Sequence, residues 1–256
     1  MNKAALLSVV ISQSRGDDPS RRALEGALVA ALAQRPELDV IVLPHLYDLD
    51  SSGPAVQLLR SLPGDSVVFS WLYPRAVYWL LRASRVACRM GATCFTSEDA
   101  LELPPDRQER RRERTLWCID LRESAEPGAY VAEIERLLGT AVPGEFSRGC
   151  FARPAQVAED AAPRWYPVID YVRCTGCLDC VSFCLFKVLA QDERGAVVVA
   201  HAEACQDGCP ACARICPTAA ILLPEHRNPS IAGDARAGSV PLKLDLSQLF
   251  CGARIE

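Results

Sequence analysis

The chain has 256 residues, half of them hydrophobic, and a formal net charge of −4 at pH 7. That length is more than one small module needs and leaves room for two cores. The charge gives no basic surface of the kind nucleic-acid binding requires, and no segment approaches the roughly 20 apolar residues that span a bilayer.

Met1-Asn2-Lys3 followed by the apolar run Ala4 to Ile11 imitates a signal peptide. The run is short, no small-x-small cleavage site follows, and Ser12-Gln13-Ser14-Arg15-Gly16-Asp17-Asp18 reads as a strand-to-helix turn, so a buried first strand is the better reading. Further strands are expected at Asp39 to Leu43, Ser66 to Ser70 and Thr115 to Asp120, with a weaker one at Ala92 to Thr96. Helical spacing falls between them at Arg21 to Arg35, Ala55 to Ser61, Pro74 to Ser84 and Ala129 to Leu138. Pro19 and Ser20 fit the start of the first helix, and Pro74 fits a first-turn proline. The alternation predicts an α/β domain over residues 1–140, with an open, mostly parallel sheet of four or five strands.

Ligands in such sheets bind beyond the carboxyl ends of the strands, which selects Ser12, Gln13, Ser14, Arg15, His45, Tyr47, Asp48, Asp50, Trp71 and Tyr73 as the place to look for a site. Loops also collect polar residues without any ligand, and Trp71 and Tyr73 serve equally as packing. No Gly-x-Gly-x-x-Gly or Walker loop supports nucleotide binding. The order of elements and the phrase Val40-Ile41-Val42-Leu43-Pro44-His45 loosely resemble the class II tetrapyrrole metal-chelatase domains. That resemblance implies a histidine shortly after the first strand, where this chain has Ser12-Gln13-Ser14-Arg15; it therefore speaks to shape and carries no activity.

Arg107-Gln108-Glu109-Arg110-Arg111-Arg112-Glu113-Arg114 is the densest charge in the chain. It reads as a solvated segment before the next strand, with docking of an acidic partner as the alternative. Residues 141–164, with Pro143-Gly144, Arg148-Gly149 and Pro154, are expected to connect two domains.

The runs Cys174-x2-Cys177-x2-Cys180-x3-Cys184 and Cys205-x3-Cys209-x2-Cys212-x3-Cys216-Pro217 hold eight of the thirteen cysteines. Three thiolates in a short turning loop can ligate three irons of one cubane, leaving a corner for a cysteine from elsewhere. Structural zinc would also consume eight thiolates, but zinc sites are built from separated Cys-x2-Cys pairs, and an odd cysteine count argues against a disulfide framework. The halves also repeat beyond the cysteines: Val168-Ile169-Asp170-Tyr171-Val172-Arg173 matches Val199-Ala200-His201-Ala202-Glu203-Ala204, and Leu189 falls where Ile221 falls. Each half is predicted to be a strand, a cluster loop, a short helix and a returning strand, with Gln191-Asp192-Glu193-Arg194-Gly195 as the turn between halves.

Residues 165–224 resemble the bacterial two-cluster ferredoxin, which implies a small α+β module carrying two 4Fe-4S clusters. Carried over residue by residue, the resemblance implies that Cys174, Cys177, Cys180 and Cys216 hold one cluster and Cys205, Cys209, Cys212 and Cys184 the other. Two departures stand out. Leu185 follows Cys184 where the family has proline, and the second run carries an extra residue in Gln206-Asp207-Gly208, where glycine can take a positive φ and absorb a wider loop. Full thiolate ligation leaves no iron open to substrate, so relay of single electrons to or from a redox protein partner is expected, alone or as a subunit of a complex. An oxidoreductase whose α/β domain binds a small molecule is the competing reading. Thiolate cofactors favour the reducing cytoplasm. Cys88, Cys94, Cys118, Cys150 and Cys251 fit no metal template. Residues 225–256, with an apolar segment near Val240 to Phe250, are expected to pack on a domain or a partner.

Overall fold

The computed structural model describes residues 7–96, 114–141, 154–159 and 162–237. The first half is a parallel sheet sandwiched between helices. Its strands are β1 (Leu7–Ser12), β2 (Leu38–Leu43), β3 (Ser66–Ser70), β4 (Cys88–Met90), β5 (Arg114–Asp120) and β6 (Ala155–Gln156), in the order β4-β5-β3-β1-β2-β6. β1 pairs with β2 from Leu7 opposite Leu38 to Ser12 opposite Leu43, and with β3 on its other side. The central strands are buried on both faces, which is why β1 reads as a continuous apolar run.

Helices α1 (Pro19–Ala33) and α4 (Pro127–Leu138) cover one face, where Val9, Ile11, Leu28, Phe69, Trp117, Tyr130 and Ile134 form one core. Helices α2 (Pro54–Ser61) and α3 (Pro74–Ala83) cover the other, where Val10, Ile41, Leu59, Val68, Val77 and Leu116 form the second. All four starts follow from local chemistry, α4 opening on Pro127. The Asp18 carboxylate accepts from the Ser20 and Arg21 amides with Pro19 in the first turn, and Pro54 and Pro74 open α2 and α3.

The structure corrects two expectations here. The sheet has six strands, because Ala155–Gln156, in the segment expected only to connect, pairs with Ile41 and Val42. Nearby Glu159 caps α2, accepting from the Asp50 and Ala55 amides at 2.8 and 3.2 Å. The weak strand lies at Cys88–Met90 instead of Ala92 to Thr96. The Gly91 amide makes the last ladder bond, to the Leu116 carbonyl at 2.9 Å. Beyond it the Thr96 amide turns back to Thr93 and the Cys94 amide is taken by the Glu133 carboxylate, so β-branched composition loses to a turn that satisfies the same backbone groups. Of the arginine-rich run only Arg114 is described; its guanidinium donates to the Leu59 and Leu62 carbonyls at the end of α2.

The second half contains β7 (Val168–Ile169), α5 (Asp179–Phe183), β8 (Leu189–Gln191), β9 (Val197–Val199), α6 (Ala211–Ile215), β10 (Ile221–Leu222) and α7 (Pro229–Ala232). β7 pairs antiparallel with β10, and β8 with β9, so the opening strand of the first half meets the closing strand of the second. Leu189 and Ile221, matched by the repeat, are both buried in this module's core. Val168 and Leu222 belong to the α2/α3 core, so the two halves share apolar packing across their boundary. The described start of the tail is packed: Ile231 and Ala232 are buried, and Arg236 pairs with Glu123 at 2.8 Å. The apolar segment near Val240 to Phe250 lies outside the described residues, as do Cys150 and Cys251.

Candidate metal centre and the joint beneath it

The two cysteine loops repeat each other in backbone geometry. Gly176 and Gly208, each just before the second cysteine of its run, have φ of +71° and +72°, and Lys187 and Ala219, each three residues past the last cysteine, have φ of +56° and +50°. Such left-handed turns curl the chain and turn backbone amides inward, the arrangement found around phosphate and iron-sulfur groups. The loops differ at the next residue. Leu178 is left-handed with φ of +65°, whereas its counterpart Pro210 cannot be and sits at −104°. The extra residue of the second loop accompanies this proline, as a longer path around a tighter constraint.

Cys174, Cys177, Cys180 and Cys216 line one pocket, with Ile169, Leu178, Val197 and Ile221 as its apolar walls. Cys216 thus joins the first run despite lying in the second. Burial pushes the Cys180 thiol up to about 11, and Cys216, Cys174 and Cys177 add to the rise in that order. Burial likewise lifts Cys212 to about 12, helped by Cys205, Cys184 and Cys209, and lifts Cys205 to about 11, helped by Cys209 and Cys184. Cys180 and Cys212 thus each feel three other thiols and Cys205 two, and these neighbours divide along the two crossed sets that the resemblance implies. Among the described residues no three His, Cys, Asp or Glu side chains are gathered tightly enough to hold one metal ion. The Ala220 amide donates to Cys216 Sγ at 3.2 Å, a bond suited to a ligand sulfur that carries charge. The thiol-lined pocket and this amide fit a multi-iron core.

The other cysteines stand apart. Cys88 and Cys118 are buried within the sheet, where burial raises the Cys118 thiol, and exposed Cys94 lies against Glu133.

The carboxyl edge of the sheet is covered by the cluster module. Arg15 grips Asp48 with two arms and donates to the Arg164 carbonyl at 2.8 Å. Tyr47 stacks on Tyr166 with ring centroids 4.6 Å apart, and its hydroxyl donates to the Tyr166 carbonyl and accepts from the Tyr166 amide. His45, 6% exposed, lies between Asp48 at 3.4 Å and Glu225 at 3.2 Å. Ser12 bridges Pro44 and Leu46, the Ser14 amide and Trp71 both donate to Glu25, Gln13 continues the ladder to Leu43, and Tyr73 stacks under Arg122. Asp50 is exposed and closes a turn onto Ser52. The place where a small-molecule site was sought is largely a joint between the halves.

Sequence reasoning missed Arg75, Asp170, Arg164, Tyr166 and Glu225. Arg75 alone left a sign, since a cation in the first turn of a helix opposes the helix dipole and needs a reason to be there. The reason is Asp170: Arg75 Nε lies 2.6 Å from its carboxylate, and both residues are buried.

The joint has a pH dependence. Burial lowers the pKa of His45, but the neighbouring Asp48 and Glu225 carboxylates outweigh it and the net shift is upward from 6.5. A raised folded value means that the stabilisation is complete below about 6.5 and is lost as pH rises through the folded value. Asp48, held down to about 2 against its own burial by His45, Arg15 and the Arg164 amide, stays charged throughout that window. Denaturation midpoints of the wild-type chain should therefore fall as pH rises above 6.5, and His45→Gln should flatten that slope; equal slopes would contradict this account.

Residues 166–218 match the 4Fe-4S dicluster domain family. An uncharacterized ferredoxin of Methanocaldococcus jannaschii is 42% identical over 66 residues, covering 25% of this chain and 44% of that protein. Ferredoxin-3 of Nostoc sp. is 39% identical over 72 residues, covering 22% of this chain and 73% of that protein. The chain thus spans less than half the length of the first relative.

Proposed function

The chain belongs, through residues 166–218, to the 4Fe-4S dicluster ferredoxins, and from that membership we propose that it carries two 4Fe-4S clusters and relays single electrons to or from a redox protein. Cys174, Cys177, Cys180 and Cys216 hold one cluster; Cys205, Cys209, Cys212 and Cys184 hold the other. The observation that carries this reading is the meeting of Cys216 with the first run in one cavity. When bound, such clusters supply reversible one-electron chemistry. The protein's own contribution is to fill every ligand position with a thiolate, to wall the sulfurs with apolar side chains and to direct the Ala220 amide at Cys216. Buried thiols raised to about 11 and 12 are protonated at neutral pH, so taking up the clusters releases protons. Residues 1–140 form the docking or regulatory domain, and the reducing cytoplasm is the compartment in which such ligands persist.

A role as the wiring subunit of a larger oxidoreductase is favoured by one feature. Phe183 and Leu185, on either side of Cys184, are 53% and 89% exposed, and Phe186 beside them is 43% exposed. Apolar side chains grouped at a ligand of a cluster suit a seated redox protein, in a complex that co-purifies at fixed stoichiometry.

Anaerobically purified protein should contain about eight iron and eight sulfide per chain and show broad sulfur-to-iron absorption. A protein that binds zinc in their place, or that lacks the absorption, would sink the reading.

A further inference from the structure

Arg75 reaches out of the α/β half into the cluster module. Its Nε bonds Asp170, and its Nη2 donates to the Ala219 carbonyl at 2.7 Å. The Ala219 carbonyl and the Ala220 amide belong to one peptide group, and that amide donates to Cys216 Sγ at 3.2 Å. The guanidinium, the peptide and the sulfur therefore form a single chain of hydrogen bonds. The left-handed turn at Ala219, with φ of +50°, lies at one end of this peptide, between Cys216 and the β10 strand. The Ala220 carbonyl is meanwhile held by the Asp170 amide at 2.8 Å. Asp170, besides its bond to Arg75, accepts from the Val172 and Arg173 amides at 2.9 and 3.2 Å, so the ion pair is anchored on the loop that leads to Cys174.

We propose that Arg75 is a positioning residue for the first cluster: acting through the Ala219–Ala220 peptide, it raises the reduction potential of the cluster ligated by Cys216. The inference rests on the ligand assignment above. Three physical points carry it. A charged donor on a carbonyl polarises the peptide and strengthens the bond its N–H makes onward. Hydrogen bonds to ligand sulfurs are among the main determinants of cluster potential, because they favour the more negative, reduced state. And Arg75 is buried, so its charge is little screened by solvent, while a guanidinium stays protonated even though burial lowers its pKa. The consequence is that the α/β half helps to set how readily the module accepts electrons, and any movement at the joint that lengthens the Arg75 bond lowers the potential of one cluster selectively.

Both midpoints are to be measured by anaerobic redox titration, followed by EPR, on the full chain with its clusters, for wild type, Arg75→Gln and Arg75→Lys. Arg75→Gln should make reduction of one cluster about tenfold less favourable, a fall of about 59 mV for a one-electron couple, and leave the other midpoint in place. Arg75→Lys, which keeps the charge but not both arms, should shift the same midpoint less. If Arg75→Gln does not retain its iron, Arg75→Lys alone decides. A variant that holds full iron with both midpoints unmoved overturns the proposal and reduces Arg75 to a structural tie. A wild-type chain without iron-sulfur clusters instead overturns the functional reading beneath it.

Discussion

Replacing Cys216 by alanine should remove about half of the iron, and the same half that is lost when Cys177 is replaced. The two cysteines are 39 positions apart in the chain, yet both face one cavity. If they ligate one cluster, the double variant Cys177→Ala/Cys216→Ala loses little more iron than either single variant, because residues acting as a unit are not additive. If each run held its own cluster, the losses would add and the double variant would be nearly iron-free. Cys184 and Cys209 form the second such pair, expected to behave likewise for the other cluster. Cys94, exposed and outside both sets, serves as the control whose replacement leaves iron content unchanged. If ligation is crossed, each cluster joins one half of the repeat to the other, so losing one should make the module more open to protease while the second keeps its iron.

The second large effect is expected at Asp170. Substituting alanine would leave Arg75 charged and buried with its carboxylate gone, a change that typically costs about 3–5 kcal/mol. It would also remove the acceptor for the Val172 and Arg173 amides just ahead of Cys174. Anaerobic denaturant titration, followed by cluster absorption and by tryptophan fluorescence, to which Trp71, Trp79 and Trp117 of the α/β half contribute three of four indoles, reads both halves at once. Wild-type transitions should coincide, because the halves share a core through Val168 and Leu222. In Asp170→Ala the cluster signal should be lost well before the α/β signal. Replacing both partners by apolar residues, as in Arg75→Met/Asp170→Leu, should recover much of the stability, since the penalty lies in the orphaned charge. A loss below about 1 kcal/mol in the single variant would show that water reaches the pair and that it is not the tie described.

Much of this was legible residue by residue. The bounds of α1, α2, α3 and α4 fell within about two residues of those read from apolar spacing and prolines, and Ser66–Ser70 fell where expected. The repeat predicted that Leu189 and Ile221 open equivalent strands, and Gly208 takes the positive φ anticipated for it. The failures share a cause. Cys88–Met90 is a three-residue edge strand whose pairing with Arg114 to Leu116 has no local signal, while Ala92 to Thr96 has the composition of a strand but gives its Cys94 and Thr96 amides to Glu133 and Thr93. Ala155–Gln156 is a strand only because β2 has an open side.

The sequence by itself determined the cofactor class, since cysteine spacing within a loop is a local property matched to the size of an inorganic core. It also determined the layered α/β half, since hydrophobic period is local too. Only the tertiary structure decided what lies against what. It brought Cys216 to the first run, filled the carboxyl edge of the sheet with Arg164, Tyr166 and Glu225, and set Arg75 behind the peptide that faces the Cys216 sulfur. Those pairings join residues far apart in the chain. They form because a buried charge or amide must find a partner somewhere, a requirement that names the need and leaves the partner to the fold.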